Sequence, residues 1–185
     1  MEKGKTGKIA MPNNFDVHDD ATFINTLRKA KHNAENIIPK DKHNIYFAGP
    51  WFDERSNELY NACVDIYKIV SKVTSAKIFF PREQINATPY DAFSTNVEKI
   101  NDCDIVVALV SKKDVGTAWE IGMAFALKKP VYLLGYDETT FLSHTNVMLA
   151  FTGRCLTIDK FAKFLTNTIR DDEFVKIQNK LEGIE

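Results

Sequence analysis

Two carboxylates near the middle of the chain, Asp114 and Glu120, have the spacing and the setting of catalytic groups. They follow residues 104–110, an apolar run that is typical of a buried strand. In an open α/β sheet, ligands bind beyond the carboxyl ends of the strands. The small residues Gly116 and Ala118 would allow a ligand to approach the backbone closely. Two carboxylates at such an edge can divide the work of glycosidic cleavage, one attacking a sugar carbon while the other orients hydroxyl groups.

Glu120 also fits a purely structural role. Thr117 and Glu120 have the spacing of a capping box, in which the glutamate side chain accepts a hydrogen bond from a backbone N–H at the start of a helix. The neighbouring Asp114 and Gly116 favour the catalytic role, because they add a second carboxylate and open space at the same strand end. The residues alone leave both roles open.

Two aromatic residues, Trp51 and Phe52, follow the first predicted strand, over residues 44–48, which a glycine and a proline terminate. Aromatic rings in such a position most often pack into the core. At the carboxyl end of a strand, these two rings can also line the same cleft as Glu120. Flat rings in that cleft would suit stacking on a nucleobase.

The bulk composition excludes several classes of partner. The 185 residues carry a formal net charge of -1 without a basic stripe, so we expect neither nucleic acid nor a membrane surface as a partner. No apolar run is long enough to span a bilayer, and no apolar signal core follows the basic N-terminus. We therefore expect a cytoplasmic protein. The cysteines are widely spaced, as expected of reduced thiols (Cys63, Cys103 and Cys155).

Motifs for cofactors and metals are absent from the sequence. Neither the dinucleotide fingerprint GxGxxG nor the P-loop pattern, GxxxxGK followed by Ser or Thr, occurs. The GxSxG elbow of serine hydrolases is also missing. We therefore expect no metal and no organic cofactor. The histidines lack the spacing of metal ligands (His18, His32, His43 and His144).

Strand-like and helix-like segments alternate along the chain. This alternation predicts an α/β fold, with an open parallel five-stranded sheet and helices on both faces, of the Rossmann or flavodoxin-like kind. In one of the helices, Phe93, Val97 and Ile100 are expected to face the core. The predicted strands cover residues 44–48, 77–80, 105–110, 131–134 and 155–158, and the predicted helices cover residues 55–73, 90–101, 117–128 and 160–169.

The α/β pattern occupies residues 44–170, which we interpret as one domain. Residues 1–43 are interpreted as an N-terminal extension with one helix, over residues 21–37. Residues 171–185 are interpreted as a polar C-terminal tail.

From about residue 44 to residue 158, the sequence resembles the nucleoside 2-deoxyribosyltransferase family. Each matching block is modest alone, but their order and spacing together make a specific signal. The blocks are Tyr46-Phe47-x-x-x-Trp51-Phe52-x-x-Arg55-x-Asn57, Asn101-Asp102-x-Asp104-Ile105, Asp114-Val115-Gly116-x-x-x-Glu120-x-Gly122-x-Ala124 and Asn146-x-Met148.

The resemblance implies a reaction and its catalytic residues. Members of the family cleave the N-glycosidic bond of a 2′-deoxynucleoside and pass the deoxyribosyl group to another free nucleobase, without a cofactor. The resemblance makes Glu120 the nucleophile, which forms a covalent deoxyribosyl-enzyme that the incoming base resolves with retention. It makes Tyr46 the residue that positions this glutamate, and Asp114 a ligand of the sugar hydroxyl groups.

The resemblance also implies how substrates and subunits come together. Asn146 would reach into the site of a neighbouring subunit, so a homo-oligomer built from dimers is expected, as a tetramer or a hexamer. Gln84 would contact the base. The remaining expected substrate-binding residues are Gly49, Trp51, Phe52 and Gly116.

One residue departs from the family pattern. The family has an aspartate, which helps to protonate the leaving base, eight residues before the position of Asp104, where this chain has Asn96. An asparagine can hydrogen-bond a base edge but cannot donate a proton as an acid. This replacement is the support for one alternative, a noncatalytic nucleoside-binding module on the same fold. A second alternative also stays open, a hydrolase of deoxynucleoside 5′-monophosphates.

Overall fold

A computed structural model describes residues 21–22, 24–26, 28–29, 43–50, 53–85, 88–110, 113–144 and 147–177. Within these residues, the centre of the molecule is a five-stranded, fully parallel sheet with the strand order β2-β1-β3-β4-β5. The predicted α/β fold is confirmed. The strands are β1 (Asn44–Ala48), β2 (Lys77–Phe79), β3 (Ile105–Leu109), β4 (Val131–Gly135) and β5 (Arg154–Thr157).

Helices connect the strands close to the predicted positions. The helix after β3 begins at Val115, two residues earlier than expected, because the Asp114 side chain caps it. The last helix is much shorter than expected, and Asn167 follows it with a φ of 52°. The helices are α1 (Glu54–Val70), α2 (Pro89–Asp102), α3 (Val115–Ala126), α4 (Glu138–His144), α5 (Val147–Thr152) and α6 (Phe161–Leu165), with 3-10 turns at Pro81–Glu83, Ile158–Lys160 and Asp171–Glu173.

Both faces of the sheet are covered, and alternate residues of β1 show how. Ile45 and Phe47 belong to a core cluster that α1 and α6 cover. Tyr46 and Ala48 point to the other face and pack in a second cluster with residues of α2 and α3. Packing continues beyond the predicted domain end at residue 170, since the side chain of Ile177 is buried in the second cluster.

One predicted core residue is on the surface instead. Phe93 was expected to face inward, but 52% of it is exposed and its ring lies 5.8 Å from that of Trp119, centroid to centroid. Helix α2 buries Ile100 near its C-terminal end, and Val97 is half-buried. The first turns of α2 therefore meet neighbouring helix α3 rather than the sheet.

The described parts of the N-terminal extension are helical at residues 21–22, 24–26 and 28–29. Residues 23, 27 and 30–37 of the predicted N-terminal helix lie outside the described residues. Among the described residues, no helix combines the length and the apolarity that crossing a bilayer requires.

Candidate active site

The strand order creates a crevice beside β1. The chain leaves β1 toward β2 on one side, and β3 pairs with β1 on the other. Connections that leave neighbouring strands in opposite directions open a crevice at their carboxyl ends, which is where ligands bind in doubly wound sheets. The loops after β1 and β3 border this crevice, and the predicted site residues Gly49 and Asp114 lie in them.

A hydrogen bond joins the two residues expected to be catalytic. The Tyr46 hydroxyl donates to Glu120 Oε1 at 2.5 Å, across 74 positions of sequence. Tyr46 lies on β1 and is fully buried, whereas Glu120 lies on α3 and is half-buried. A bond this short to a carboxylate is typical of a charge-assisted hydrogen bond. The tyrosine thereby fixes the orientation of the carboxylate.

The surroundings of Glu120 oppose its negative charge. Burial raises the pKa of the Glu120 carboxyl to about 7, while the hydrogen bond from Tyr46 lowers it and the charge of Asp114 raises it further. Burial also raises the pKa of Tyr46, and the adjacent Glu120 charge adds to that rise. The tyrosine therefore stays protonated and acts as a hydrogen-bond donor at neutral pH. The carboxyl is poised between its two protonation states.

Asp114, rather than Glu120, caps the helix. Asp114 Oδ2 accepts hydrogen bonds from the Thr117 backbone N–H at 2.6 Å and from the Thr117 hydroxyl at 2.7 Å. The helix therefore begins at Val115, and Thr117 is not its N-cap residue. The Glu120 carboxylate instead accepts a hydrogen bond from Tyr46. The Asp114 cap is a feature that the sequence reasoning missed, although Asp is one of the residues most preferred at the position just before a helix.

The two site glycines stand where side chains would crowd the site. A Cβ on Gly49 would lie 2.8 Å from Leu109 Cβ, so the turn after β1 can pass the end of β3 only without a side chain there. A Cβ on Gly116 would come within 3.2 Å of Asp114 Oδ2. Glycine at this position keeps the Asp114 carboxylate uncrowded.

The other predicted substrate-binding residues are less constrained. Gln84 is exposed just after the Pro81–Glu83 turn, and its Nε2 donates to the Phe80 carbonyl at 3.3 Å. Asn96 is half-buried on α2, one turn beyond Phe93. Trp51, Phe52 and Asn146 lie outside the described residues.

Phe79 packs against Tyr46 and was not anticipated from the sequence. Its ring stacks on that of Tyr46, with centroids 5.8 Å apart and planes inclined by 23°. The strand register brings the two rings together, because Tyr46 on β1 pairs with Phe79 on β2. Register between parallel strands cannot be read from one sequence, so the contact emerged with the structure.

Over the described part of the chain, no three His, Cys, Asp or Glu side chains cluster as metal ligands would. The polar groups that converge on the crevice are instead a carboxylate, a phenol and a second carboxylate that also caps a helix. Such a set can supply a nucleophile, a donor that orients it and a ligand for hydroxyl groups.

Comparison with known structures supports the same fold. A conserved protein from Enterococcus faecalis V583 is 20% identical, with a TM-score of 0.54, over 70% of this chain and 100% of that one. A 2-deoxyribosyltransferase from the psychrotolerant bacterium Bacillus psychrosaccharolyticus is 21% identical, with a TM-score of 0.53, over 69% of this chain and 92% of that one. A comparison with curated protein sequences gave no match.

The family model of nucleoside 2-deoxyribosyltransferase matches residues 45–176, which hold nearly the whole sheet and the Tyr46–Glu120 pair. The match defines the class of protein as an enzyme of the deoxyribosyltransferase and N-glycosidase type. This chain belongs to the nucleoside 2-deoxyribosyltransferase family. Membership implies nucleosides and nucleobases as substrates.

Proposed function

We propose that the protein transfers the 2-deoxyribosyl group of a 2′-deoxynucleoside to another nucleobase, with Glu120 as the nucleophile. The observation that carries the proposal is the Tyr46–Glu120 hydrogen bond at the carboxyl end of the sheet. It holds a carboxylate in one orientation, as a nucleophile requires, and leaves its second oxygen, Oε2, to attack the sugar.

The reaction proceeds in two displacements. In the first, a Glu120 oxygen forms a bond to C1′ while the C1′–N bond breaks, and the departing base keeps the electron pair and gains a proton. In the second, a nitrogen of the incoming base attacks C1′, the ester bond to Glu120 breaks, and that nitrogen loses its proton. Two inversions at C1′ give net retention.

The charge balance of the site favours this chemistry. The transition state resembles an oxocarbenium ion, whose positive charge a nearby carboxylate stabilises. In the free enzyme, burial and Asp114 make the Glu120 anion unfavourable, and this raises its pKa to about 7. Positive charge developing at C1′ offsets that penalty in the transition state. The site is thus more complementary to the transition state than to the resting substrate.

Asp114 would bind the sugar hydroxyl groups. Its two hydrogen bonds from Thr117 fix the carboxylate at the start of α3, so the position of the hydroxyl ligand is set by the helix cap. Gly49 and Gly116 would keep the path to these carboxylates free of side chains. We propose Trp51, Phe52 and Gln84 as the residues that contact the base.

Asn96 limits which nucleobases can leave. It lies on α2 one turn beyond Phe93, whose ring contacts Trp119, the neighbour of Glu120. An asparagine there can hydrogen-bond the base but cannot protonate it as it leaves. We therefore expect bases that leave readily, or that take their proton from solvent, to be the better substrates.

We further propose a homo-oligomer in which Asn146 completes the site of a neighbouring subunit. Exposed apolar side chains on the helix that follows Asn146 in sequence support this, because large apolar patches on a protein surface mark association sites. Asn146 is followed by α5, where 77% of Met148 and 57% of Phe151 are exposed. Other exposed large apolar residues on α2 and α3 are Tyr90, Phe93, Val115, Trp119 and Phe125.

The cysteines support placement in the cytoplasm, where nucleosides are salvaged. Cys63, Cys103 and Cys155 are free and buried, as is usual for thiols kept reduced.

Hydrolysis of a 5′-monophosphate is the less favoured activity. The N-terminus of α1 is the natural place for a phosphate after β1, because helix N-termini bind anions. Asp53 already occupies it, accepting from the Ser56 backbone N–H at 3.0 Å and from the Ser56 hydroxyl at 2.6 Å. A phosphate would have to displace this carboxylate or lie beside it.

The test is incubation with thymidine or deoxyinosine, with and without free adenine, followed by chromatography. The proposed function predicts new deoxyadenosine when adenine is present. Free base and free deoxyribose without a new nucleoside would show a hydrolase instead. Binding of the nucleoside without cleavage of either the nucleoside or its 5′-monophosphate would favour the noncatalytic module.

A further inference from the structure

The helical part of the N-terminal extension packs at the edge of the sheet where the site lies. Ile24 packs against the core cluster on the α1 face. The Tyr136 hydroxyl donates to Thr26 Oγ1 at 3.1 Å, across 110 positions of sequence. Ile24 and Thr26 are half-buried while Asn25 between them is exposed, so the segment contacts the domain through one side.

Tyr136 locates this contact relative to the catalytic loops. It directly follows β4 at the carboxyl end of the sheet, and 6% of it is exposed. In the parallel register Leu109 at the end of β3 pairs with Leu134. The carboxyl ends of β3 and β4 therefore lie side by side, and Tyr136 follows β4 at the same edge of the sheet at which Asp114 follows β3.

Tyr136 also lies near the start of α1. Burial raises the pKa of Tyr136, and the positive charge of the nearby Arg55 opposes that rise. Arg55 is in the first turn of α1, three residues after the predicted base-enclosing residue Phe52. Tyr136 therefore lies close to the N-terminal segment and to the first turn of α1, at the carboxyl end of the sheet.

We propose that the N-terminal segment, residues 21–22, 24–26 and 28–29, forms one wall of the active-site enclosure. Docked on Tyr136, it would hold the loops after β1 and β3 in place and restrict the access of water to the glycosyl-enzyme. Restricting water is a requirement of transfer, because water competes with the acceptor base for the covalent intermediate. The inference rests on the proposed function. The segment precedes residues 45–176, so the wall is an addition of this chain to the family domain.

The test uses the full-length protein with Ile24→Asp, which places a charge on the docked side, and Asn25→Asp as a matched control on the exposed side. Hydrogen exchange of the N-terminal peptides reports docking. Products from thymidine and adenine report the ratio of free deoxyribose to deoxyadenosine. Ile24→Asp should lose protection, release several-fold more free deoxyribose per deoxyadenosine and raise the KM for adenine. Asn25→Asp should match the wild type.

Tyr136→Phe removes one hydroxyl without changing the side-chain shape, and serves as the second variant should Ile24→Asp fold poorly. It should change the product ratio in the same direction by a smaller factor. Lost protection with an unchanged product ratio and KM would overturn the inference, as would an N-terminal segment that exchanges freely in the wild type. A wild type without any cleavage would instead refute the proposed function. In that case the affinity for thymidine would be measured for the wild type and for Ile24→Asp. Weaker binding by the variant would support a role of the N-terminal segment in enclosing the site, and equal binding would overturn it.

Discussion

The carboxylate of Glu120 is held where its charge is opposed by burial and by Asp114, and Tyr46 partly offsets that opposition. Such an arrangement is common at catalytic sites and unusual for a side chain with only a structural task. The types and spacing of Asp114 and Glu120 pointed to this site from the sequence. The partner of Glu120 did not follow from spacing, because Tyr46 lies 74 positions away and meets it only once the sheet has formed. Family resemblance, not local pattern, predicted that pair.

Glu120→Gln is expected to stabilise the fold at high pH and to abolish activity. The folded-state pKa of about 7 exceeds the ordinary value of 4.5, so the folded chain holds a proton that the unfolded chain has lost between these two values. Stability is therefore lost as pH rises through this window and is unaffected below it. Above about pH 8 the neutral variant should be more stable than the wild type by on the order of 3 kcal/mol, with no such gain near pH 4.

Urea unfolding at the two pH values measures this difference. Glu98→Gln is the matched control, since it makes the same chemical change at an exposed position on α2. An equal effect of Glu120→Gln at both pH values would mean that Glu120 ionises normally in the folded protein.

Tyr46→Phe is expected to reduce kcat/KM and to move its acidic limb to higher pH. The wild-type limb should lie near pH 7, because the nucleophile must be ionised and its pKa is about 7. Removal of the hydrogen bond from Tyr46 takes away the influence that lowers this pKa. We expect a loss on the order of a hundredfold at neutral pH from the misplaced carboxylate.

The pH dependence of kcat/KM for thymidine, measured for both proteins, tests this expectation. Tyr67→Phe removes a hydroxyl that donates to the Ala76 carbonyl, in the cluster on the other face, and should leave the profile unchanged. A profile of Tyr46→Phe that overlays the wild type would contradict a positioning role for Tyr46.

Helix α3 brings Glu120 into the site, and a side chain at its start decides where the helix begins. The sequence predicted the residues of β1 correctly because its apolar run ends at a Gly-Pro pair. The start of α3 was predicted two residues late, since the apolar pattern cannot tell which of Asp114 and Thr117 supplies the cap. The exposure of Phe93 was missed for a related reason. Helical spacing shows that a residue shares a face with Ile100 but not where along the helix the sheet ends.

Asp114 is expected to serve both the helix and the substrate, and two substitutions separate these roles. Asp114→Asn keeps an oxygen that can accept from Thr117, so its stability should stay close to that of the wild type. Asp114→Ala loses the cap and should be less stable by about 1 kcal/mol. Both should raise the KM for the nucleoside, because both remove the charged ligand of the sugar hydroxyl groups. Unfolding midpoints and steady-state kinetics together test the assignment. A KM raised by Asp114→Ala alone would indicate that Asp114 acts through the helix.

We propose that the active site is complete only when two chains associate. The hydrogen-bonded pair Tyr46 and Glu120 comes from one chain, but Asn146 is proposed to come from another. The exposed apolar side chains of α2, α3 and α5 are the surface we propose for that contact. Such a feature is beyond what one sequence can reveal, since a surface residue and an interface residue carry the same local pattern. The N-terminal extension raises the same difficulty within a chain. Its contact between Thr26 and Tyr136 links two residues 110 positions apart.

Mixing two inactive variants tests the shared site. Glu120→Gln lacks the nucleophile and Asn146→Ala lacks the residue proposed to enter the partner's site. If subunits exchange freely, half of the dimers contain one chain of each kind, and each such dimer has one site with both native residues. Activity should return to about a quarter of the wild-type value. Mixtures that stay inactive after proven subunit exchange would place both residues in the same chain's site.

The central claim is that Glu120 carries the deoxyribosyl group during the reaction. Its most direct test is mass spectrometry of the intact protein, quenched in acid during turnover of thymidine, with the adduct then mapped by peptide digestion. The proposed mechanism predicts a mass increase of one deoxyribosyl group on the peptide that contains Glu120, its absence from Glu120→Gln, and deoxyadenosine of retained configuration when adenine is present. A deoxyribosyl adduct on another residue, or a product of inverted configuration, would contradict it.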